Sequence, residues 1–316
     1  MKGFFDRMNA SPTPIASAPA PRPIALLLLI VTTFVLGLGL FLSSGAAHTW
    51  WEVLTLGVVE GLTEFLPISS TAHLLITADL LHFSNSIGGT FEIFIQLGAI
   101  LAVVLYYARD LLAQARALPT SAPIRRFWLS IVLAFLPAAL VGLALRKWIK
   151  AVLFAAPAVI AASLILGGLV LIAVELLLRR RATTTEAEEV SFGQALGIGV
   201  AQLFALIPGV SRSGASIVGG LLSGLDRRAA TTFSFYLAIP TLGAATIVDL
   251  LGSLHQVTAD DLARLLVGTL VAFVVAWLSI GWLLRYVASH SFIAFGIYRI
   301  AAGALILGLL AAGLMT

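Results

Sequence analysis

Long apolar runs alternate with short polar breaks along the chain. The first run, residues 24–42, contains no charged side chain, and the later runs are close to the roughly 20 residues that a helix needs to cross a bilayer. Backbone groups inside a membrane must satisfy one another, which favours helices. The pattern therefore predicts an all-α polytopic membrane protein. After the first run, further spans are predicted at residues 91–107, 127–145, 159–178, 233–251, 265–284 and 292–310.

Two segments rich in proline, glycine and hydroxyl side chains interrupt this pattern, at residues 57–81 and 197–225. Each is followed by three predicted spans, so the chain divides into two repeats, residues 52–182 and 191–316. Because three is an odd number, the repeats lie in opposite orientations if the broken segments do not cross the membrane. Backbone that breaks at membrane depth must be buried in protein, so both segments are predicted to be re-entrant hairpins.

The predicted fold is thus an inverted-topology repeat. Each half has a re-entrant helical hairpin and three transmembrane helices, and one extra helix precedes them. In such folds the broken segments meet near the middle of the bilayer and form the binding site.

The N-terminus carries a polar head, residues 1–23, whose Pro-, Ala- and Ser-rich stretch predicts disorder. Residues 24–46 are predicted to form an uncleaved anchor helix, because the apolar run is longer than that of a typical signal peptide. A cleavable signal peptide is the alternative, since small residues follow the run. The basic residues Lys2, Arg7 and Arg22 place the head in the cytoplasm.

Composition agrees with a membrane protein. Hydrophobic residues make up 60% of the chain and charged residues 11%, with a mean hydropathy of +1.05. The net charge of +4 does not indicate a nucleic-acid partner, because the Lys and Arg residues lie mainly in short loops between spans, where they report topology. Arg146, Lys147 and Lys150 fall on the less basic side and are the exception. The absence of cysteine excludes disulfides and thiolate chemistry.

The first broken segment contains two carboxylates, Glu60 and Glu64, within apolar sequence. Because they are four residues apart, both lie on one face of a helix that must end near Pro67. Such a pair can hold a hard divalent cation, or one carboxylate can act as a base beside the other. The alternative is a pair of helix-end carboxylates satisfied at the membrane interface.

The residues after Pro67 offer hydroxyl and imidazole groups. Ser69, Ser70 and Thr71 can cap the helix that restarts there. With His73 within reach around the same helix start, a hydroxyl and an imidazole can also form a nucleophile and its base. Attack by the imidazole itself remains an alternative.

The second broken segment supplies a cation, Arg212, between Ser211 and Ser213 and before Gly214. A guanidinium, hydroxyls and backbone N–H groups converging at a helix start make an anion site that suits phosphate. The alternative is a structural ion pair between Arg212 and a carboxylate of the first segment. Two residues at the start of the first span are predicted to extend the site or to cap the helix: Glu92 and Gln96.

These motifs resemble a known family. Residues 60–73 (EGLTEFLPISSTAH) and 208–214 (PGVSRSG) resemble signatures of the bacterial undecaprenyl-diphosphate phosphatases, the integral-membrane type associated with bacitracin resistance. Residues 91–98 (FEIFIQLG) resemble a third family segment, and the likeness runs from about residue 55 to the C-terminus. Ala72 stands where the family usually has glycine, and the first fifty residues lie outside the family core.

The resemblance implies hydrolysis of undecaprenyl diphosphate to undecaprenyl phosphate and inorganic phosphate, which recycles the lipid carrier for peptidoglycan synthesis. It also implies a Mg²⁺ or Ca²⁺ cofactor, a homodimer, and a site that faces the periplasm from the bacterial inner (cytoplasmic) membrane. A polyprenyl-phosphate transporter or flippase that uses the same headgroup site is the alternative.

Specific roles are expected for the motif residues. The nucleophile is left open among Ser70, Thr71, His73 and water. The expected catalytic residues are Glu64, Ser70, Thr71, His73 and Arg212. The expected diphosphate-binding residues are Ser69, Ser211, Arg212, Ser213 and Gly214, and the expected metal ligands are Glu60 and Glu64.

Overall fold

The structure is a computed structural model that describes residues 47–81, 83, 90–153, 156–178, 184–253 and 259–313. The predicted head, residues 1–23, and the predicted anchor helix, residues 24–46, lie outside the described residues. The α-helices are α1 (Ala47–Thr63), α2 (Ser70–Leu80), α3 (Thr90–Tyr106), α4 (Ala108–Ala117), α5 (Ala122–Trp148), α6 (Pro157–Leu178), α7 (Phe192–Gln202), α8 (Arg212–Leu222), α9 (Arg227–Ser253), α10 (Ala259–Val287) and α11 (Ile293–Ala311).

The prediction of an all-α membrane protein is confirmed for these residues, in which every helix or strand assigned is helical. Within the described ranges, five helices are long and apolar enough to cross a membrane, or six if α3 and α4 form one span bent by 65°. Large apolar side chains such as Leu140, Leu177 and Leu251 are exposed on these helices. A bilayer would cover them, because lipid tails are as apolar as leucine.

Helix boundaries follow local sequence signals. Ser121 caps α5 by accepting a hydrogen bond from the backbone N–H of Ile124. Ser191 and Gln194 form a reciprocal capping box at the start of α7. The predicted loop after residue 107 is partly helical, because α4 continues the chain after the bend.

Glycines bring α1 and α3 close to α10. A Cβ atom on Gly61 would lie 2.7 Å from the carbonyl oxygen of Ala272, and one on Gly98 would lie 2.2 Å from that of Thr269. Backbones that approach this closely tolerate only small residues, as is common between membrane helices. This packing fixes the orientation of α1, which carries Glu60 and is followed directly by Glu64.

The other helices pack in pairs around the two breaks. Helix α6 lies along α11, and α7 packs against both α5 and α8. Helix α9 packs against α3, α5 and α8. A buried aromatic cluster includes Phe65 of the first break and consists of Phe65, Phe127, Phe233, Phe235 and Tyr236.

Charged side chains near the helix ends form ion pairs. Arg146, the basic residue that the charge pattern did not explain, pairs with Asp249 of α9. Arg227, at the start of α9, pairs with the buried Glu175 of α6. These pairs join α5 to α9 and α6 to α9.

Candidate active site

Two breaks between helices bring the motifs together. The first separates α1 from α2, and the second separates α7 from α8, with a short 3₁₀ turn at Leu203–Leu206. Ser69 and Ser211 occupy equivalent places, since each is the N-cap of the helix that follows. In the described part of the chain they are the two non-glycine residues with positive φ, 74° and 77°. This conformation costs energy for an L-residue, so the surrounding structure must hold both turns in place.

The second break lies tightly against α6. Gly209 has φ +92°, and a Cβ atom there would lie 2.5 Å from the carbonyl oxygen of Ile160. Glycine is therefore required at this position both by the backbone conformation and by the close approach.

Arg299 of α11 holds the two breaks to each other. Its guanidinium donates hydrogen bonds of 3.0 Å to the carbonyl oxygens of Pro67 in the first break and Gly209 in the second. It also donates to the carbonyl oxygens of Ser163 and Leu164 on α6, at 3.3 and 3.4 Å. The arginine is 1% exposed. The sequence pattern does not reveal these contacts, because the acceptors are backbone atoms from distant segments.

Glu64 is the centre of the site. One carboxylate oxygen accepts a hydrogen bond from the Ser70 hydroxyl at 2.5 Å, and the other accepts one from the Arg212 guanidinium at 3.0 Å. All three side chains are largely shielded from solvent. The structure thus places an acid or base, a hydroxyl and a cation from both motifs in direct contact.

Further contacts hold the Arg212 guanidinium in place. It donates to the backbone carbonyl of Ser234 at 3.0 Å and lies 5.7 Å from the centre of the Phe65 ring. Its Nε atom is buried and has no hydrogen-bond partner among the described residues. Arg212 therefore keeps one donor available while its position is fixed.

Glu60 lies one helical turn before Glu64 and is 1% exposed. One of its carboxylate oxygens has no hydrogen-bond partner among the described residues. It is within electrostatic range of Glu64, Arg212 and Glu92. No group of three or more His, Asp and Glu side chains that could hold a metal ion is found in the described ranges. A cation here would take at most two carboxylates from these residues.

The His73 ring contacts Ser69 and Tyr298. Its Nδ1 atom lies 2.7 Å from the carbonyl oxygen of Ser69, and its Nε2 atom lies 2.7 Å from the hydroxyl of Tyr298. The two rings stack with centroids 5.5 Å apart. Both ring nitrogens thus have partners other than Ser70, and the acceptor for Ser70 is Glu64.

The serines of the second motif connect the breaks. Ser213 donates to the carbonyl oxygen of Leu66 in the first break at 2.8 Å and lies 3.0 Å from the Ser211 hydroxyl. The N–H of Gly214 donates to Ser211 at 3.1 Å. The hydrogen bonds of these three residues stabilise the turn around Arg212.

A cavity of about 240 Å³ lies between the breaks. The predicted site residues that line it are Glu64, Ser69, Ser70, Thr71, Gln96, Ser211 and Arg212. The predicted residues outside its lining are Glu60, His73, Glu92, Ser213 and Gly214. Two polar residues outside both motifs, Gln202 and Thr241, also line it.

The fold and the site define a class. This is a multi-pass membrane protein with a buried carboxylate, hydroxyl and guanidinium in one cavity between two helix breaks. Such a set of groups suits a phosphorylated ligand.

Comparison with known proteins identifies the family. The family model described as "Bacitracin resistance protein BacA" matches residues 53–305, so the chain belongs to this family. A protein of Dechloromonas aromatica named undecaprenyl-diphosphatase is 51% identical over 258 residues, covering 81% of this chain and 93% of that protein. Proteins of the same name from Laribacter hongkongensis and Deinococcus radiodurans are 50% and 46% identical, and cover 80% and 84% of this chain and 92% and 97% of their own lengths.

Proposed function

We propose that this protein is an enzyme that hydrolyses undecaprenyl diphosphate to undecaprenyl phosphate and inorganic phosphate, and so recycles the lipid carrier of peptidoglycan synthesis. The observation that carries the proposal is the contact of Glu64 with both Ser70 and Arg212. A base, a nucleophile and an anion-binding group are thereby held at one point of the cavity. Family membership and the names of the relatives supply the substrate.

The reaction begins at the Ser70 hydroxyl. Glu64 takes the proton as the Ser70 oxygen forms a bond with the terminal phosphorus. The bond between that phosphorus and the bridging oxygen breaks, and undecaprenyl phosphate leaves with the electron pair. Glu64 gives its proton to the departing phosphate oxygen and is again a base. Water then attacks the phosphoserine, and Glu64 accepts a proton from that water. It passes the proton to the Ser70 oxygen as the bond between serine and phosphorus breaks, and inorganic phosphate departs. One water molecule is consumed in total.

Arg212 balances the charge of the terminal phosphate. Its Nε donor is available, and its contact with Glu64 can be shared with a phosphoryl oxygen. Helices α2 and α8 both begin at residues that line the cavity, so their N-terminal N–H groups favour an anion there. These fixed dipoles and the guanidinium stabilise charge that develops in the transition state.

A divalent cation, Mg²⁺ or Ca²⁺, is part of the proposal. The free oxygen of the buried Glu60 fits this role, whereas both oxygens of Glu64 already have partners. Mg²⁺ is often held by only one or two carboxylates together with substrate phosphates. When bound, such an ion would neutralise phosphate charge. Glu60 would hold it, with Glu64 as the second carboxylate, because the single hydrogen bond to each Glu64 oxygen leaves further lone pairs for the ion.

The two halves are proposed to form an inverted repeat. Supporting features are the matching helix starts at Ser69 and Ser211 and the matching packing of α1 on α10 and of α7 on α5. We further propose the bacterial inner membrane as the location, a periplasm-facing site and a homodimer. These three statements rest on the family resemblance and on the charge pattern of the chain.

The alternative, a polyprenyl-phosphate transporter, has no support from the relatives named above, which carry phosphatase names. A transporter would need the cationic headgroup site. It would not need a carboxylate that accepts a proton from a hydroxyl.

The test is phosphate release from a polyprenyl diphosphate by the detergent-purified protein, with and without a chelator. Glu64→Gln should slow release by about 10²- to 10⁴-fold because the base is lost. Arg212→Ala should slow it by about 10²- to 10³-fold because charge stabilisation is lost. The exposed residues Glu189 and Arg228 provide matched controls, and Glu189→Gln and Arg228→Ala should remain active.

Absence of release from folded wild-type protein would overturn the proposed enzyme. Release that persists in Glu64→Gln would overturn the assigned base but not the activity. Release that the chelator leaves unchanged would remove the cation from the proposal.

A further inference from the structure

The cavity has a polar wall that the proposed reaction does not use. Gln202, at the end of α7, and Thr241, on α9, line the same cavity as Glu64, Ser70 and Arg212. Gln202 is 1% exposed, and neither its Nε2 nor its Oε1 atom has a hydrogen-bond partner among the described residues. The buried hydroxyl of Thr241 likewise lacks a partner within that part of the chain.

Buried amides and hydroxyls are normally hydrogen-bonded, because removing them from water without a new partner is unfavourable. Two such side chains from different helices at one cavity indicate a ligand that brings acceptor oxygens. The Gln202 amide has two donor hydrogens and the Thr241 hydroxyl has one. Phosphoryl oxygens, which are acceptors with negative charge, match this set of donors.

The position of Gln202 in its half of the chain also indicates an anionic ligand. Gln202 precedes the capping Ser211 by the same number of residues as Glu60 precedes the capping Ser69. In the first half this position carries a carboxylate, which suits a cation. The second half has a neutral amide there, which can donate to an anion without repelling it.

We propose that Gln202 and Thr241 bind oxygens of the inner, lipid-linked phosphate and thereby select a diphosphate over a single phosphate. This rests on the proposed function, in which Ser70 and Arg212 contact the terminal phosphate. When the terminal phosphate contacts Ser70 and Arg212, the remaining polar side chains Gln202 and Thr241 of the same cavity are available to bind the second phosphate of that molecule.

Calorimetry on the purified full chain tests this with two probes, methylenediphosphonate and inorganic phosphate. Gln202→Leu and Thr241→Val should each weaken binding of methylenediphosphonate by about tenfold, the effect of losing one hydrogen bond to a charged oxygen. Binding of inorganic phosphate should change by less than about twofold, because that ion occupies the terminal site. The preference for the diphosphonate should therefore fall.

Thr246→Val is the matched control. Thr246 lies on α9, and its buried hydroxyl also lacks a described partner, but it is not part of the cavity lining. This variant should bind both probes as the wild type does. Thermal unfolding checks that each variant is folded. If Gln202→Leu does not fold, the binding of the two probes by Thr241→Val tests the proposal.

Equal losses for both probes, or no loss for either, would overturn the role of Gln202 and Thr241. Phosphate release is measured in parallel on the wild type. A wild type that binds both probes but releases no phosphate from a polyprenyl diphosphate would overturn the proposed hydrolysis. The ratio of the two affinities would still decide the role of Gln202 and Thr241.

Discussion

The guanidinium of Arg299 donates a 3.0 Å hydrogen bond to the carbonyl oxygen of Pro67, a residue 232 positions earlier in the chain. The same guanidinium binds the carbonyl oxygen of Gly209 in the other break. Carbonyls at a helix break have lost their helical partners and cannot reach water when buried. One side chain therefore donates hydrogen bonds to a carbonyl group in each break and holds the two breaks at a fixed separation.

Arg299→Met should destabilise the protein because it leaves several buried carbonyls without donors. Each unsatisfied group costs about 1–3 kcal/mol, so a total loss of about 3 kcal/mol or more is expected. The midpoint of thermal unfolding in detergent measures this loss. Arg285→Met, an exposed position at the end of α10, is the control and should change the midpoint little. Equal midpoints for the two variants would contradict the bridging role.

Ser70→Ala should reduce phosphate release by at least about 10³-fold, because it removes the proposed nucleophile. Thr71→Ala should have a much smaller effect, since the hydroxyl that contacts Glu64 is that of Ser70. Rapid quench with a labelled terminal phosphate measures the phosphoserine directly. If Thr71 or His73 is phosphorylated instead, that residue is the attacking group. If turnover shows no burst and no phosphoenzyme, water is the attacking group.

Ser211→Ala should destabilise the second break more than Ser211→Gly does. Alanine loses the cap to Gly214 and also keeps a Cβ atom at φ 77°, whereas glycine adopts this conformation freely and remains an acceptable cap. The difference should be about 1–2 kcal/mol. Thermal unfolding of the two variants side by side measures it, and a more stable alanine variant would refute the explanation.

The stability of the protein should depend on pH through the carboxyl group of Glu188. This residue lies in the 3₁₀ turn Ala187–Glu189 before α7. Burial raises the pKa of its carboxyl, and the nearby acids Glu186, Asp110 and Glu189 add to the effect. The folded protein therefore binds the proton more tightly than the unfolded chain does. The free energy of unfolding should fall as the pH rises from the unfolded pKa through the folded one.

Glu188→Gln removes this penalty, so it should raise the unfolding midpoint at neutral pH. The gain should disappear near pH 3, well below the unfolded pKa of about 4.3, where the wild-type carboxyl is protonated in both states. Glu189→Gln, at an exposed neighbour, should show a smaller change with pH. A constant difference between Glu188→Gln and wild type at all pH values would argue against titration of this group.

The chemical groups of the site could be predicted from the chain because polar residues are costly at membrane depth. Glu64, Ser70 and Arg212 stand out in apolar sequence, and Pro67 marks the end of the helix before them. The structure brings these three side chains into contact. The sequence marked these three residues as candidates, but it left the nucleophile open among Ser70, Thr71, His73 and water.

The remaining contacts could not be predicted, because they depend on how distant helices pack. His73 was a possible base for a nearby hydroxyl, yet its ring lies against Tyr298 of the last helix. Arg212 is anchored by a backbone carbonyl, that of Ser234, which sequence patterns do not reveal. The bend before α4 was also missed, because a charged stretch after an apolar run reads as a loop.

The contact between Glu64 and Arg212 also bears on biogenesis. Glu64 and Ser70 are synthesised with the first break, whereas Arg212 follows 148 positions after Glu64. The contact between the two breaks therefore forms only after the second break has been synthesised and has packed against the first.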